Sequence, residues 1–328
     1  MQDCVNGAYF IVREDCPVCA SAHCETFYSV PFTQDPVRSF LESHFREQGH
    51  IEWATLEGTN FTLAECPECK LVFQRNVPND AMLGRVYTEM ISPSFLRAYE
   101  DDLLTVDNFR QIAGEMMMLF RMIDKPAGQI AFLDYGFGFG RWARVARALG
   151  ATVYATEIGE EKLAMAADIG VRIIPDEAVD GMRFDIVHTE QVLEHLVDPR
   201  REFRRLAAIT DGVMKVSVPP AGPIRSTIEK KGLAAESPFV RAHAMRGDDL
   251  AHMAVQPLEH INAFSVKSIE RLASENHMKI VDQVRRRATM MDIGSPKRFL
   301  RSLADFGIAL GKAALKPHTG YYLLRPER

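Results

Sequence analysis

No run in this chain approaches the roughly 18–20 consecutive apolar residues that a membrane-crossing helix needs. A secretory leader is also missing. The opening MQDCVNGAYFIVRED carries no basic start and only a short apolar stretch from Ala8 to Val12, so a cytoplasmic location is expected. Positive charge is not in excess: 39 Lys and Arg stand against 44 Asp and Glu, a net charge of -5 with an isoelectric point near 6.1. Neutralising a phosphate backbone takes clustered cations, so no nucleic-acid partner is expected. Cysteine is absent beyond residue 69, and its six copies in 328 residues do not read as a secreted disulfide framework. Internal repeats and low-complexity tracts are lacking too.

What is present is enough apolar content, 47%, to bury a substantial core, in a length that suggests about two domains. A turn-rich seam at Asn76-Val77-Pro78-Asn79 closes a cysteine-containing segment, 1–78. Within it, Asp35 to Gln48 has helical spacing, while Ile51–Leu56, Phe61–Leu63 and Leu71–Arg75 read as short strands. A helical linker or lid, 79–128, contains the amphipathic stretch Val106 to Ile123, whose methionine run reads as core packing. From 129 to 328 strands and helices alternate. Ile130–Tyr135, Thr152–Thr156, Val171–Ile174, Phe184–His188 and Val213–Val218 read as buried strands. Helical stretches follow at Arg141–Leu149, Glu160–Ile169 and Arg200–Ala208. This alternation implies βαβ units and a parallel sheet covered on both faces. An insert at 219–262 opens on Pro219-Pro220-Ala221-Gly222-Pro223, and a helix at Val266–Asn276 and strands at Met278–Val284 and Tyr321–Leu324 complete the domain.

Three glycines, Gly136, Gly138 and Gly140, sit directly after the first of these strands and before a helix. Glycine belongs where backbone must turn tightly or approach a ligand without a Cβ. A dinucleotide fingerprint counted from Gly136 needs glycine at 141, where this chain has Arg141. An acid, Asp134, ends the strand instead. It would repel a pyrophosphate but not a cationic sulfonium or ammonium group. The next strand ends in Glu157, an acid that can accept from both hydroxyls of a ribose, or serve as an N-terminal charge for the following helix.

The block LDYGFGFGRWA, then TEIG at 156–159, then FDIVHTEQVLEHLVDP at 184–199, resembles class I S-adenosylmethionine-dependent methyltransferases. The closest branch carries a V-L-E-H-x-x-D-P signature, here Val192-Leu193-Glu194-His195-Leu196-Val197-Asp198-Pro199. The resemblance implies an α/β fold: a doubly wound, seven-stranded methyltransferase sheet with its last strand antiparallel. It also implies S-adenosylmethionine as cofactor. Asp134, Gly136, Gly138 and Gly140 would cradle its methionine end, Glu157 would hold the ribose, and Ile158 would pack on the adenine. Asp176 or Glu177 would meet the adenine amino group. Glu190 and Gln191 would line the site near the methyl group, Gln191 standing where many relatives carry Asp.

Cys16-Pro17-Val18-Cys19 and Cys66-Pro67-Glu68-Cys69 form two CxxC knuckles 46 residues apart. Four thiolates on two tight turns complete a tetrahedral, closed zinc site. A small N-terminal zinc-binding domain of Cys16, Cys19, Cys66 and Cys69 is therefore expected, the metal serving structure rather than catalysis. Cys4, Cys24 and His23 are left over. The stretch CPVC…CPECKLVFQ, followed by Tyr87 and Tyr99, is similar to the zinc-bearing front end of sugar C-methyltransferases, although Lys70 replaces their usual glycine.

Methyl transfer needs a nucleophile in line with the sulfonium carbon and, for a hydroxyl, a base to take its proton. His260, in PLEHINAFS, is one candidate, and the resemblance places that stretch close to the site mouth. His260 and Asn262 can equally cap the following helix and fix the insert. His195 is the second candidate, a structural role being the competing reading, with Glu194 anchoring its turn. No acidic cluster after the fourth strand suggests catalytic magnesium, so transfer without a catalytic metal is expected. The acceptor is expected to be a small molecule: a sugar, a sugar nucleotide or a secondary metabolite. The competing class is a non-catalytic cofactor-fold protein whose zinc segment docks into an assembly. Finally, Lys297 to Lys316 repeats apolar residues at helical spacing among basic ones. Such a helix can lie on an anionic membrane, but docking on the protein body or a partner subunit is the expected role.

Overall fold

The computed structural model describes residues 5–157, 162, 166–237, 249–281, 293–315 and 320–327. The chain divides into two compact units, each drawn from three stretches of sequence. One comprises Met1–Tyr99, Gln191–Glu202 and Val218–Leu272; the other comprises Glu100–Glu190, Phe203–Ser217 and Ala273–Arg328.

The second unit is built on a seven-stranded sheet, labelled here in chain order: β1 Ala131–Tyr135, β2 Thr152–Thr156, β3 Arg172–Ile173, β4 Phe184–Glu190, β5 Thr210–Ser217, β6 Met278–Val281 and β7 Tyr321–Pro326. Their spatial order is β6-β7-β5-β4-β1-β2-β3. Pairing is parallel from β3 to β5, whereas β7 runs antiparallel to both β5 and β6. The expected antiparallel last strand is thus present. β1 and β4 are buried along almost their whole length, as a sheet covered on both faces requires. The core gathers Ile112, Met116 and Leu119 of helix Val106–Arg121 with Phe132, Ile186, Val213 and Leu323; of the methionine run, Met116 and Met118 pack as expected, while Met117 is exposed. Chain order reverses between β1 and β4. In open α/β sheets such a switch point opens a crevice at the carboxyl ends of the strands.

The first unit holds a four-stranded antiparallel sheet in the order Asn262–Ala263, Val72–Gln74, Asn60–Glu65, Glu25–Pro31. A two-stranded ribbon pairs Phe10–Val12 with Asn76–Pro78. Helix Val37–Gln48 packs Val37, Phe40, Leu41 and Phe45 into a core with Phe32, Phe61 and Leu63. Two local expectations fail here. Ile51–Leu56 does not form a strand: Trp53–Leu56 is a single helical turn, its Thr55 hydroxyl donating to the Glu52 carbonyl at 2.7 Å. Apolar runs this short carry no decisive period. Glu25–Pro31 is a strand that sequence patterning missed, because one face is only half covered and no clean alternation results.

Candidate functional site

The loop after β1 is shaped by left-handed glycines. Gly138 has φ +56° and no atom within 4 Å of the place a Cβ would occupy, so the space beside the backbone is open there. Gly140, at φ +74°, begins helix Arg141–Ala148; a Cβ on it would come within 2.4 Å of the Phe137 ring. Glu157, just past β2, accepts from the Gly138 N–H at 2.8 Å and lies 3.7 Å from the Lys162 ammonium. It therefore ties the tip of β2 to the glycine loop. Arg141 has its own duty: its guanidinium reaches Glu100 at 2.8 Å and Asn108 at 3.3 Å. A glycine at 141 could not make those contacts.

Beneath the loop lies a buried charge network that sequence reasoning missed. Asp134 Oδ1 is 2.7 Å from His188 Nδ1, and both side chains are almost fully buried. The other ring nitrogen, Nε2, lies 3.1 Å from the Lys215 ammonium and 3.6 Å from Glu190 Oε2. Lys215 is wholly buried, 2.7 Å from Glu190 Oε2, 3.5 Å from Glu115 Oε2 and 3.2 Å from the centre of the Trp142 ring. Burial alone would raise the Glu190 pKa, but the Lys215 charge and the His188 contact reverse that and hold it well below the usual carboxylate range. Lys215 thus faces two carboxylates, Glu190 and Glu115, while the third, Asp134, pairs with His188. The surplus is negative, which suits a cationic ligand and opposes a pyrophosphate. S-Adenosylmethionine, with a sulfonium and an ammonium group, fits the open space at the glycine loop and this charge balance. The only sequence signals for the missed members were single polar letters inside apolar strands: His188 in FDIVHTE and Lys215 in VMKVS.

Other expected cofactor residues lie as follows. Gly136 is left-handed at φ +79°. Asp176 pairs with Arg205 at 2.7 Å and is half exposed, and Glu177 begins the same short 3-10 helix. Gln191 is exposed at φ +55°, where the chain passes from one unit to the other. Ile158 lies outside the described residues.

In the first unit, the two CxxC knuckles converge. Sγ of Cys16 and Cys69 are 3.5 Å apart, as are Sγ of Cys19 and Cys66. All four are free thiols, with sulfurs within 4.8 Å of one another. The knuckles repeat one geometry. Cys16 N–H donates to the Ser21 carbonyl at 3.0 Å, and Cys66 N–H to the Leu71 carbonyl at 2.9 Å. The residues after the second cysteines, Ala20 and Lys70, are left-handed at φ 56° and 59°. Lys70 thus occupies a backbone position that favours glycine. Contact with Cys69 holds the Cys16 thiol down at about 5, while the same contact pushes Cys69 up, the thiol of one stabilising the thiolate of the other. The donor set fits a tetrahedral zinc, whose charge would let all four stay thiolates. Cys24 donates to the Ser21 carbonyl at 3.4 Å and is not part of that group.

The same unit gathers Tyr87, Glu194, His195 and His260. The Tyr87 hydroxyl is 3.1 Å from His195 Nδ1, and the rings of His195 and His260 meet edge to face at 4.8 Å. His260 Nδ1 donates to the Met253 carbonyl at 2.5 Å. Burial, and then the neighbouring His195, lower its pKa to about 3, so His260 stays neutral. Next to it, burial would raise Glu259, but His44 at 3.1 Å holds it down at about 2. Asn262 does not cap the following helix; Ser265 does, accepting from Ser268 N–H at 3.1 Å. Instead, Asn262 Nδ2 donates to the Leu196 carbonyl at 2.7 Å, and Ile261 N–H to the Glu194 carbonyl at 2.9 Å. The His260 stretch therefore braces the turn that carries His195. Arg13 extends the brace, its buried guanidinium reaching Asn262 Oδ1 and the Ile261 carbonyl, each at 2.8 Å. Tyr99 stacks on Phe95 within its helix, at the boundary of this unit.

A sheet with a glycine loop after β1, an acid after β2 and an antiparallel last strand is that of class I S-adenosylmethionine-dependent methyltransferases. A family described as a methyltransferase domain matches residues 108–283, more than half of the chain, and the chain belongs to that family. No curated protein sequence matches it significantly. Among solved structures it is similar to the plantazolicin methyltransferase BpumL in complex with SAH, at 14% identity over 75% of this chain and 93% of that one, TM-score 0.44. It is also similar to magnesium protoporphyrin IX methyltransferase (ChlM) from Synechocystis PCC 6803, at 16% identity over 62% and 91%, TM-score 0.40. The [4+2]-cyclase SpnF is similar at 18% identity over 65% and 80%, TM-score 0.36.

Proposed function

We propose that this methyltransferase acts on a small-molecule acceptor with a proton to lose at the methylated atom, a sugar or sugar nucleotide being the favoured class. The cofactor supplies an electrophilic methyl group. Asp134, Glu157, Glu190 and the glycine loop of the second unit hold it, and within the first unit His195 is the side chain suited to accept a proton. The observation that carries this reading is the division of labour between the two histidines. His260 is locked by the Met253 carbonyl and kept neutral by burial, so it is a poor proton acceptor and serves as a positioning residue. His195 is only half-buried and lies in hydrogen-bond reach of Tyr87, whose hydroxyl can pass a proton onward. The four-cysteine segment supports the acceptor class through its similarity to the front end of sugar C-methyltransferases.

The test is transfer of labelled methyl groups from S-adenosylmethionine to a panel of sugars and sugar nucleotides, read by mass spectrometry. Parent protein should methylate at least one member, His195→Ala should lose about 100-fold or more in rate, and both should bind the cofactor equally. Undiminished turnover by His195→Ala would remove it as the base. A protein that binds cofactor yet methylates no sugar would refute the acceptor class.

A further inference from the structure

A stretch of the second unit plays no part in the cofactor site. Helix Pro296–Leu315 lies between β6 and β7 and is amphipathic by sequence spacing. At 100° per residue Phe299, Leu300 and Leu303 share one side, while Lys297, Arg298 and Arg301 share the other. In a helix docked on its own protein the apolar side would be covered. Here Phe299 remains 39% exposed, Leu300 66% and Leu303 42%, and Ile293, just before the helix, 81%. The basic side chains are exposed as well.

Charge says what covers this face. Residues 285–316 carry eight Lys or Arg against two acids, a local +6 in a chain of net -5, so the remainder is -11. A cationic amphipathic segment is attracted to the acidic surface of a second copy as well, but that attraction answers its basic side and not the exposed Phe299, Leu300 and Leu303. The segment is drawn to a surface that is both anionic and apolar just beneath. No helix among the described residues is long and apolar enough to cross a membrane, so the geometry is that of a helix lying in the interface. We infer that helix Pro296–Leu315 docks the enzyme peripherally on anionic phospholipid bilayers, Phe299, Leu300 and Leu303 entering the acyl boundary while Lys297, Arg298 and Arg301 meet headgroup phosphates. Each basic residue near such a surface is worth roughly fivefold in partitioning.

The full-length protein is sedimented with vesicles of pure phosphatidylcholine and with vesicles containing phosphatidylglycerol, at low and high salt. Expected is at least about tenfold stronger partitioning onto the anionic vesicles, weakened by salt. Arg298→Glu with Arg301→Glu should lose about tenfold or more on anionic vesicles, and Leu300→Glu should lose partitioning onto both vesicle types. Cofactor binding by calorimetry should be unchanged in all variants, which shows that they fold. Equal or absent binding to both vesicles would overturn the proposal. So would variants that bind like the parent, or a dimer in solution that Leu300→Glu converts to monomer without vesicle binding by the parent.

Discussion

Lys215→Met tests the charge network most directly. The parent ammonium is fully buried and satisfies Glu190 at 2.7 Å, Glu115 at 3.5 Å and His188 Nε2 at 3.1 Å. Methionine fills a similar volume beside Trp142 but supplies no charge, so two carboxylates lose their cation. Breaking a buried pair from one side costs about 3–5 kcal/mol. Glu190 keeps 29% of its side chain exposed, so solvent screens part of that and the lower end of the range applies. For a unit of this size about 3 kcal/mol lowers the melting temperature by roughly 6–12 °C. The pH dependence carries the sign. In the parent the Glu190 pKa is depressed, so its contribution is present above the unfolded carboxylate value and is lost as pH falls below it. Without Lys215, burial dominates and raises that pKa above the unfolded value; folding then takes up a proton, and stability increases as pH falls from neutral toward 5. Thermal melts followed by circular dichroism across that range should show the reversal, and Lys215→Met with Glu190→Gln should recover much of the loss. A single variant that melts within about 2 °C of the parent, with the parent's pH slope, would refute the view that Lys215 compensates these carboxylates.

Asp134→Asn and Glu157→Gln should each weaken S-adenosylmethionine binding about tenfold or more by calorimetry, since each removes a charge or a loop anchor at the cofactor cradle. Purified protein should carry about one zinc per chain by metal analysis, and Cys66→Ser should lose it together with much of its stability. Lys70→Gly should raise the melting temperature slightly, by about 0.5 kcal/mol of stability: release of left-handed strain, about 1–2 kcal/mol, exceeds the added glycine entropy of about 0.5–1 kcal/mol. His260→Gln should flatten the acid limb between pH 6.5 and about 3 in denaturant titrations. There the parent's unfolded state binds a proton that folded His260, at about 3, refuses.

The cofactor unit was largely legible because its signals are local. A buried parallel strand is a continuous apolar run, and a glycine loop lies on consecutive residues, so β1, β2 and β4 fall within two residues of their expected limits at every end. The two knuckles were legible for the same reason. The charge network was not, because Asp134, His188, Lys215 and Glu115 come from separate elements and meet only once the sheet has formed. Nor was the role of Asn262, whose partners lie 66 residues away or more, at Leu196 and Leu193. Its apparent meaning as a helix cap came from proximity in sequence; Ser265, a residue of the type that caps helices, fills that post.

The pairing of Asn262–Ala263 with Val72–Gln74 has a consequence for how such an enzyme can be cut and recombined. The sheet that follows the first cysteine knuckle gains its last strand from a stretch almost 200 residues downstream, and the Ser265 hydroxyl donates to the carbonyl of Cys69 itself at 2.9 Å. The thiol-bearing segment is thus no portable cartridge. A chimera that exchanged residues 1–78 alone would leave Val72–Gln74 with a foreign neighbour and the turn bearing His195 without its Arg13 strut. A replacement for this unit must arrive as three matched pieces of chain or drift in place, one side chain at a time.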